Sequence, residues 1–376
     1  MSTTVEPDSF PAALRDLAHK VLTGERLTEE DAARCFETPQ LLHLGRLADH
    51  VRRKLHGNTA YYNVNRHINP TNICVYTYDC KFCSFAALPD EDHAWQMSHE
   101  EVWEHARKQG GDRVTEFHIV GGLHPDLSLD WYLEMMRGLK ERFPRTHLKA
   151  FTAIEIGWFA KQEKLSIEAV LVRLKEAGLG SLPGGGAEIF HPEVREIICD
   201  GKLDAEEWIE VHRIAHGLGI CSNCTMLYGH VEKPEHKVDH LLQLRNLQDD
   251  TGGFNAFIPL AYHPENNYMG LEYHTTGSED LRQIATARLV LDNIPHIKAY
   301  WIMITPKLAQ VALSFGADDI DGTVVEETIY HMAGSETRDY LSREELERIV
   351  REAGYVPVER DTLYNPIQKT ETATPA

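Results

Sequence analysis

The sequence predicts a (β/α)8 TIM-type barrel, an α/β fold, from two regularities of its 376 residues. From about residue 61 onward, short β-rich runs alternate with amphipathic helical stretches, and eight such units follow one another. Several helical stretches end in glycine, which commonly follows the last residue of a helix. Eight strand–helix units over 61–325 favour a closed barrel over an open doubly wound sheet.

The runs predicted as strands are separated by the helical stretches that parallel strands require. They lie at 60–68, 115–122, 148–155, 178–185, 219–229, 253–262, 296–304 and 315–324. The helices predicted between them include 98–111, 129–143, 167–178, 204–219, 237–252 and 277–293. The fourth and eighth runs have the weakest β propensity.

Helical segments flank the predicted barrel on both sides. Residues 8–58 carry apolar side chains at three- and four-residue spacing, which predicts an N-terminal helical extension over 1–60. Near the other end, SREELERIVREAGY begins with a Ser-x-x-Glu capping box and predicts one helix. We expect this C-terminal segment, 326–376, to close the barrel, and its last residues, ETATPA, to be frayed.

Composition restricts the class of protein. With 38 Lys and Arg against 58 Asp and Glu, the net charge is −20, which argues against nucleic acid as a partner. The N-terminus lacks the pattern of a signal peptide, and no apolar run is long enough to span a membrane. Seven cysteines without a signal peptide indicate reduced thiols rather than a disulfide framework. We therefore expect a cytoplasmic protein.

Three of the seven cysteines fall within CVYTYDCKFC, at Cys74, Cys80 and Cys83, after the first predicted strand. Loops at the carboxyl ends of barrel strands carry the chemistry of this fold. A structural zinc site, a disulfide or redox pair, and an iron–sulfur cluster are the alternatives. Zinc usually needs four ligands, and adding Cys221 and Cys224 would supply five thiols. Three thiolates in one loop fit a 4Fe–4S cluster that keeps one iron free of protein ligands.

The triplet, with Phe82 before its last cysteine and GGLHP after the second strand, resembles the radical S-adenosylmethionine (SAM) superfamily. The resemblance implies that the three cysteines hold one 4Fe–4S cluster whose fourth iron chelates SAM. An electron from the cluster then cleaves SAM to methionine and a 5′-deoxyadenosyl radical. The chain departs from the usual pattern in one respect, because five residues instead of three separate Cys74 from Cys80.

The same resemblance implies a set of SAM-binding positions. Phe82 is expected near the adenine, and the segment containing Gly121 and Gly122 at the methionine amino group. Glu155 closes a predicted strand, where ribose hydroxyls or the SAM ammonium group would reach it. The remaining SAM-binding candidates are Gly185, Gly186 and Glu188 in LPGGGAE, Arg213 for the SAM carboxylate, and Tyr228 at the strand whose backbone faces the adenine edge.

Longer stretches narrow the resemblance to one subgroup. HINPTNIC, KAFTAIEI, LPGGGAEIF, TMLYGHVE and GFNAFIPLAYHPENN are similar to the menaquinone-pathway futalosine enzymes and to the enzymes that build the deazaflavin coenzyme precursor. Within this subgroup, LPGGGAEIFHPEVREIICDGK and FIPLAYHPENN resemble the aminofutalosine synthases most. The dehypoxanthinyl futalosine cyclases and the deazaflavin-precursor synthases are the neighbouring alternatives.

The closest resemblance implies a transferase that forms a carbon–carbon bond. The 5′-deoxyadenosyl radical adds to 3-[(1-carboxyvinyl)oxy]benzoate, giving 6-amino-6-deoxyfutalosine, methionine and bicarbonate. SAM is then a co-substrate, and no general base is assigned. Donors are needed for two substrate carboxylates, and the candidates at strand ends are Arg66, His67, His263, Asn267, His274 and Thr275.

Partners follow from the same reading. We expect a small-molecule enolpyruvyl benzoate as substrate, a reductant such as flavodoxin or ferredoxin, and neither nucleic acid nor a membrane. A homodimer is left open as the oligomeric state. A non-catalytic iron–sulfur carrier or sensor is the distant alternative, and the SAM-facing glycine segments argue against it.

Overall fold

The structure is a computed structural model that describes residues 6–108 and 113–367. Most of the strands within these residues are only four or five residues long. In chain order they are β1 (Thr59–Asn63), β2 (Asn65–Ile68), β3 (Glu116–Ile119), β4 (His147–Ala150), β5 (Leu179–Leu182), β6 (Cys221–Tyr228), β7 (Phe254–Ala261), β8 (His296–Ile297), β9 (Asp319–Gly322) and β10 (Val356–Glu359).

Helices follow most strands, and many begin at a Ser, Thr or Asp N-cap whose side chain accepts a backbone N–H. They are α1 (Arg15–Thr23), α2 (Glu29–Glu37), α3 (Leu41–His56), α4 (His99–Arg107), α5 (Leu129–Arg142), α6 (Ala153–Glu163), α7 (Ile167–Glu176), α8 (Pro192–Ile198), α9 (Ala205–Gly217), α10 (Pro234–Thr251), α11 (Gly277–Val290), α12 (Trp301–Ile304), α13 (Pro306–Ala312), α14 (Ile329–Met332) and α15 (Arg343–Glu352). None of the helices in the described ranges is long and apolar enough to cross a membrane.

Seven parallel strands form one sheet in the order β2-β3-β4-β5-β6-β7-β8. A second sheet, β10-β1-β9, brings β9 between the two edges of the first. Single parallel bridges join Lys298 to Asp319 on one side and Arg66 to Val325 on the other. The sheet therefore curls into the predicted (β/α) barrel, and the segment 319–325 closes it through bridges rather than through a continuous ladder.

The strands differ from prediction in three places. The run 60–68 forms two strands, β1 and β2, which belong to different sheets. Within 296–304 only His296 and Ile297 form a strand, and Trp301–Ile304 forms α12, because an apolar run of this length suits a buried helix as well as a strand. Within 148–155 the strand ends at Ala150, and α6 begins three residues later. The helices α6 and α8 were not predicted.

The flanking segments cover the barrel as helices. The helices α1 to α3 lie within the predicted N-terminal extension, and α3 packs along α11. The C-terminal helix α15 is confirmed, with its capping box between Ser342 and Glu345. The strand β10, which pairs with β1, was not predicted. The division into 1–60, 61–325 and 326–376 stays a prediction, and the frayed tail lies outside the described residues.

Helices α4 and α5 pack through a glycine. A Cβ atom at Gly138 of α5 would overlap the indole ring of Trp103, which is also covered by the Arg142 guanidinium at 3.8 Å. The Trp103 indole N–H donates to the Met135 carbonyl at 3.2 Å, so the ring cannot withdraw without losing that hydrogen bond. Gly138 thus permits the close contact between the two helices.

We expect Gly138→Ala to destabilise the protein by about 1–3 kcal/mol, because the added methyl group overpacks this contact. Gly217 in α9 is the matched control, since a Cβ atom there has nothing within 4 Å. Gly217→Ala should leave stability unchanged or raise it by up to about 1 kcal/mol. Thermal unfolding measures both variants, and an equal effect of the two substitutions would contradict the packing explanation.

Candidate active site

A cavity of about 280 Å³ lies inside the barrel at the carboxyl ends of its strands. Its lining combines thiols, charged side chains and aromatic rings from six of the strands and the loops that follow them. Cys74, Cys80 and Cys83 line one end, and they are the only cysteines among the described residues that line it. This cavity is the candidate active site.

Backbone hydrogen bonds fold the cysteine loop into successive turns. The Cys80 N–H donates to the Tyr76 carbonyl and the Cys83 N–H to the Cys80 carbonyl, each at 3.0 Å. Thr77 Oγ1 donates to the Cys74 carbonyl at 2.6 Å. The three thiols are free, so the structure contains no disulfide between them. The five residues between the first two cysteines form a turn of this loop.

Burial raises the pKa of each of the three thiols. A thiol must lose its proton to bind a metal ion, so metal binding at this loop would release protons and depend on pH. At Cys80, the positive charge of Lys202 favours the thiolate and offsets part of this rise in the pKa. One buried and two half-buried thiols beside a lysine suit a metal cluster better than a nucleophile exposed to solvent.

The two glycines after β3 hold the cysteine loop close to the barrel. The Gly122 N–H donates to the Thr71 carbonyl at 2.8 Å, and a Cβ atom at Gly122 would overlap the carbonyl of Ile73. A Cβ atom at Gly121 would lie 2.9 Å from the Thr71 oxygen. Both glycines line the cavity, and they allow the backbone after β3 to approach the backbone of the cysteine loop.

Glu155 lies in α6 and not at the end of a strand. It is the third residue of the helix and completes a capping box with Thr152. Its carboxylate also accepts the Gly121 N–H at 3.1 Å, and the side chain lines the cavity. Burial raises its pKa to about 7, against the three hydrogen-bond donors that favour the charged form. Glu155 was identified as a candidate from the sequence but was placed at the end of a strand instead of in a helix.

Glu188 and Lys202 form a buried ion pair at the cavity wall. Lys202 Nζ lies 2.6 Å from Glu188 Oε1 and 5.3 Å from the centre of the Phe82 ring. Burial acts against the lysine charge, but the Glu188 carboxylate and the neighbouring thiols hold the Lys202 pKa above its ordinary value. Glu188 has a left-handed backbone with φ of 47°, a strained conformation that is common at functional sites. Gly185 and Gly186 line the same wall.

Lys202 was missed because its position between α8 and α9 follows no recognisable pattern. Three other missed residues lie in a strand or directly after one, in EFHI, HLKA and the HIK segment. They are His118, Lys149 and Lys298, and all three line the cavity. Polar residues in the middle of parallel strands, which are usually apolar, were the available signal.

The far end of the cavity is charged and aromatic. Lys149 Nζ lies 2.5 Å from Glu116 Oε1, and Lys298 Nζ lies 2.9 Å from Asp321 Oδ1. Next to these pairs, the His67 and His118 rings stack with their centres 4.5 Å apart. Burial lowers the pKa of both histidines, so they are neutral near pH 7. Tyrosine, isoleucine and leucine side chains complete this end: Ile258, Leu260, Tyr300, Ile329 and Tyr330.

Two predicted SAM-binding residues lie away from the cavity. Arg213 is exposed on α9, where it pairs with Asp250 at 3.0 Å. Tyr228 is fully buried, and its hydroxyl donates to Asp280 at 2.7 Å. Neither residue lines the cavity, and the assignment of both to SAM stays a prediction. Arg213 faces solvent because the buried face of α9 is formed by the apolar positions on its other side.

Of the six predicted substrate residues, only His67 lines the cavity. Arg66 is buried with its guanidinium bound to Glu326 and to the carbonyls of His105 and Lys108. Asn267 donates to the His263 carbonyl at 3.0 Å and shapes its own loop. The other three, His263, His274 and Thr275, line a second cavity of about 640 Å³.

Two family models match the chain. The Radical SAM superfamily matches residues 68–244, and the CofH/MqnC C-terminal region matches residues 251–373. The first match contains the cysteine loop and both glycine segments, and the second contains β7, β8 and β9. The fold, the three cysteines of the cavity and these matches define a radical SAM enzyme.

Proteins of known name match almost the whole chain. Aminodeoxyfutalosine synthase of Thermus thermophilus is 48% identical over 94% of this chain and 95% of its own. Aminodeoxyfutalosine synthase of Streptomyces coelicolor is 45% identical over 96% of each chain. The 5-amino-6-(D-ribitylamino)uracil–L-tyrosine 4-hydroxyphenyl transferase of Methanopyrus kandleri is 42% identical over 86% of this chain and 88% of its own. The chain belongs to the radical SAM family that these synthases and transferases share.

Solved structures agree with the fold. Methylornithine synthase (PylB) superposes with a TM-score of 0.70 at 19% identity, over 91% of this chain and 97% of that chain. The maturase HydG superposes with a TM-score of 0.72 at 17% identity, over 94% of this chain and 77% of that chain.

Membership of the family implies a 4Fe–4S cluster and SAM, and the cavity fits both. Cys80, which is buried, and Cys74 and Cys83, which are half-buried, provide the three ligands that leave one iron free. Beside them, carboxylates, a lysine and glycine backbone offer partners for an amino acid and a ribose.

His331 in α14 gives the stability of this C-terminal segment a pH dependence. Its hydrogen bond to Glu327 raises its pKa from 6.5 to about 9, and Nε2 donates to the Thr337 carbonyl at 3.0 Å. The stabilisation is complete below pH 6.5 and is lost as the pH rises through 9. Between pH 6.5 and 9, we expect the free energy of unfolding of the wild-type protein to fall by about 1–3 kcal/mol more than that of His331→Gln. Thermal unfolding at several pH values measures it, and equal pH dependence in both proteins would contradict the assignment.

Proposed function

We propose that the protein is an aminodeoxyfutalosine synthase of menaquinone biosynthesis. The overall reaction joins SAM, 3-[(1-carboxyvinyl)oxy]benzoate and water into 6-amino-6-deoxyfutalosine, with release of methionine, bicarbonate and a proton. The observation that carries the proposal is a single cavity with three cysteines at one end and a charged, aromatic chamber at the other. The two synthases at 48% and 45% identity support the choice of substrate.

At the first end, Cys74, Cys80 and Cys83 hold one 4Fe–4S cluster. The bound cluster and SAM supply the 5′-deoxyadenosyl radical after a one-electron reduction by a partner such as flavodoxin or ferredoxin. The cysteine loop and β3 fix the three thiols through backbone hydrogen bonds. Phe82 offers its ring as an apolar surface for the adenine.

The wall between the two ends binds the rest of SAM. Lys202 takes the role first expected of Arg213, because it is the cation of this wall and can donate to the SAM carboxylate. Its ion pair with Glu188 holds the ammonium in place, and Glu188 keeps a free oxygen for an amino or hydroxyl group. Glu155 and the backbone at Gly121, Gly122, Gly185 and Gly186 complete the wall.

The far chamber binds the enolpyruvyl benzoate. Its two carboxylates need donors, and Lys149, Lys298 and His67 line the chamber. Each lysine uses one carboxylate partner and has three N–H donors, so both keep donors for a substrate. Tyr300 and Tyr330 provide aromatic surface for the benzoate ring. Enclosure by the barrel keeps water from a reactive radical.

The alternatives within the family differ in the fate of the adenosyl group. A dehypoxanthinyl futalosine cyclase would release it as 5′-deoxyadenosine. The 4-hydroxyphenyl transferases of Methanopyrus kandleri and Methanosarcina barkeri, 42% and 39% identical, are named for L-tyrosine and a ribitylaminouracil. The sequence identity of this chain to the two aminodeoxyfutalosine synthases is higher, which favours the enolpyruvyl benzoate as the substrate.

The test follows the adenosyl carbons. The anaerobically reconstituted protein is reduced in the presence of SAM labelled with ¹³C in its adenosine and the enolpyruvyl benzoate, and the products are separated by mass spectrometry. We expect labelled 6-amino-6-deoxyfutalosine with one methionine for each product. Cys74→Ala is the control, and it should contain no intact cluster and form no product.

Two outcomes would contradict the proposal. Labelled 5′-deoxyadenosine released only with a dehypoxanthinyl substrate would show a cyclase. Turnover only with L-tyrosine and the ribitylaminouracil would show a transferase.

A further inference from the structure

The second cavity, lined by His263, Glu265 and His274, lies beside the reaction chamber. The His263 ring meets the edge of Tyr330, a residue of the chamber wall, with the ring centres 5.9 Å apart. Three carboxylate side chains line this cavity, and none of its described lining residues is a lysine or an arginine: Glu265, Asp280 and Glu336. The surroundings therefore favour a cation.

His263, Glu265 and His274 form a compact group of metal-ligand type. One ligand atom from each lies within 4.8 Å of those of the other two. His274 Nε2 lies 2.7 Å from Glu265 Oε1, which brings the end of the loop to its beginning. Two histidines and one carboxylate, with open positions for water, are a familiar ligand set for divalent transition metals.

Two ligand atoms of the group are buried without a hydrogen-bond partner. They are His263 Nδ1 and Glu265 Oε2. Buried polar atoms normally have a partner, so an unpartnered pair in one group points to a missing ligand. His263 Nε2 donates to the Met303 carbonyl at 3.2 Å, which leaves the lone pair on Nδ1. Metal-binding histidines are commonly oriented by such a hydrogen bond from their other nitrogen.

The backbone holds the group in place. The Glu265 carbonyl accepts Ser84 Oγ at 2.8 Å, and Ser84 directly follows the last cysteine of the cluster loop. A Cβ atom at Gly334 would lie 2.7 Å from Glu265 Oε2, so a glycine there leaves room for the carboxylate. The loop after β7 is thus fixed against both the cysteine loop and the C-terminal segment.

Two other groups of histidine and carboxylate side chains lack this combination of clustered ligand atoms and a buried carboxylate oxygen without a partner. In His56, His296 and Asp318, the carboxylate already accepts from Arg288 at 2.5 Å and from His296 at 2.6 Å. In His191, Glu193 and His236, the two rings stack at 4.2 Å, and the glutamate side chain is 69% exposed. Neither carboxylate has an oxygen that is buried without a hydrogen-bond partner, as Glu265 Oε2 is.

We propose that His263, Glu265 and His274 bind a divalent transition-metal ion. Two ligands come from the beginning of the loop between β7 and α11, and one comes from its end. The ion therefore fastens this loop over the cysteine loop, where the Tyr268 N–H donates to the Lys81 carbonyl at 2.7 Å. The site is separate from the cluster and from the chamber that binds the substrate.

The experiment uses zinc as the probe on the protein with its cluster in place. Zinc is titrated anaerobically after chelator treatment, over the range in which the visible absorbance of the cluster stays constant. We expect wild-type protein to bind about one more zinc ion per chain than His274→Gln, which keeps a hydrogen-bonding group but loses the ligand. His93→Gln is the matched control, because His93 is similarly exposed and faces Glu91 at 4.0 Å without a third ligand.

Proteolysis of the loop provides the second measurement. Tyr268 and Tyr273 are 56% and 51% exposed, so chymotrypsin can reach both. Zinc should slow cleavage at these residues severalfold in wild type and in His93→Gln, and should have no effect in His274→Gln. Equal zinc binding by all three proteins, or cleavage of wild type that zinc does not slow, would overturn the proposal.

Discussion

The cysteine loop and the end of β3 touch backbone to backbone, and this contact decides where the three thiols lie. The Gly122 N–H donates to the Thr71 carbonyl at 2.8 Å, and the Val75 N–H to the Leu123 carbonyl at 3.1 Å. A side chain at Gly122 would occupy the position of the Ile73 carbonyl. The loop could not reach the cavity along this path without the glycine, so the position of the three thiols depends on it.

Buried ion pairs organise the rest of the cavity. Lys202 with Glu188, Lys149 with Glu116 and Lys298 with Asp321 place three cations at fixed points along the wall. Such pairs contribute little net stability, because desolvation offsets most of their attraction. Their value is in holding charged groups ready for ligands inside a closed barrel. The neighbouring group at His263 and Glu265 differs, since two of its atoms, His263 Nδ1 and Glu265 Oε2, have no hydrogen-bond partner within the described residues.

The barrel and the cysteine end were predictable because their signals are local. Eight alternating units gave the fold, and Cys74, Cys80, Cys83, Phe82 and the glycine segments gave one side of the cavity. Lys202 was not predictable, since only folding brings the turn after α8 to Glu188. Arg213 was predicted at the SAM carboxylate, but a basic residue on a helix is compatible with either face, and its side chain is exposed. His263 and His274 follow a strand, but the loop directs them to a second cavity.

The electron paramagnetic resonance spectrum of the reduced cluster, recorded with and without SAM, tests most directly whether one cavity joins the cluster to SAM. We expect SAM to change the spectrum of the wild-type protein, because its amino and carboxylate groups reach the iron that lacks a cysteine. In Lys202→Met the same change should need about tenfold more SAM, the effect of losing one charge-assisted hydrogen bond. A wild-type spectrum that SAM leaves unchanged would contradict this arrangement of the site.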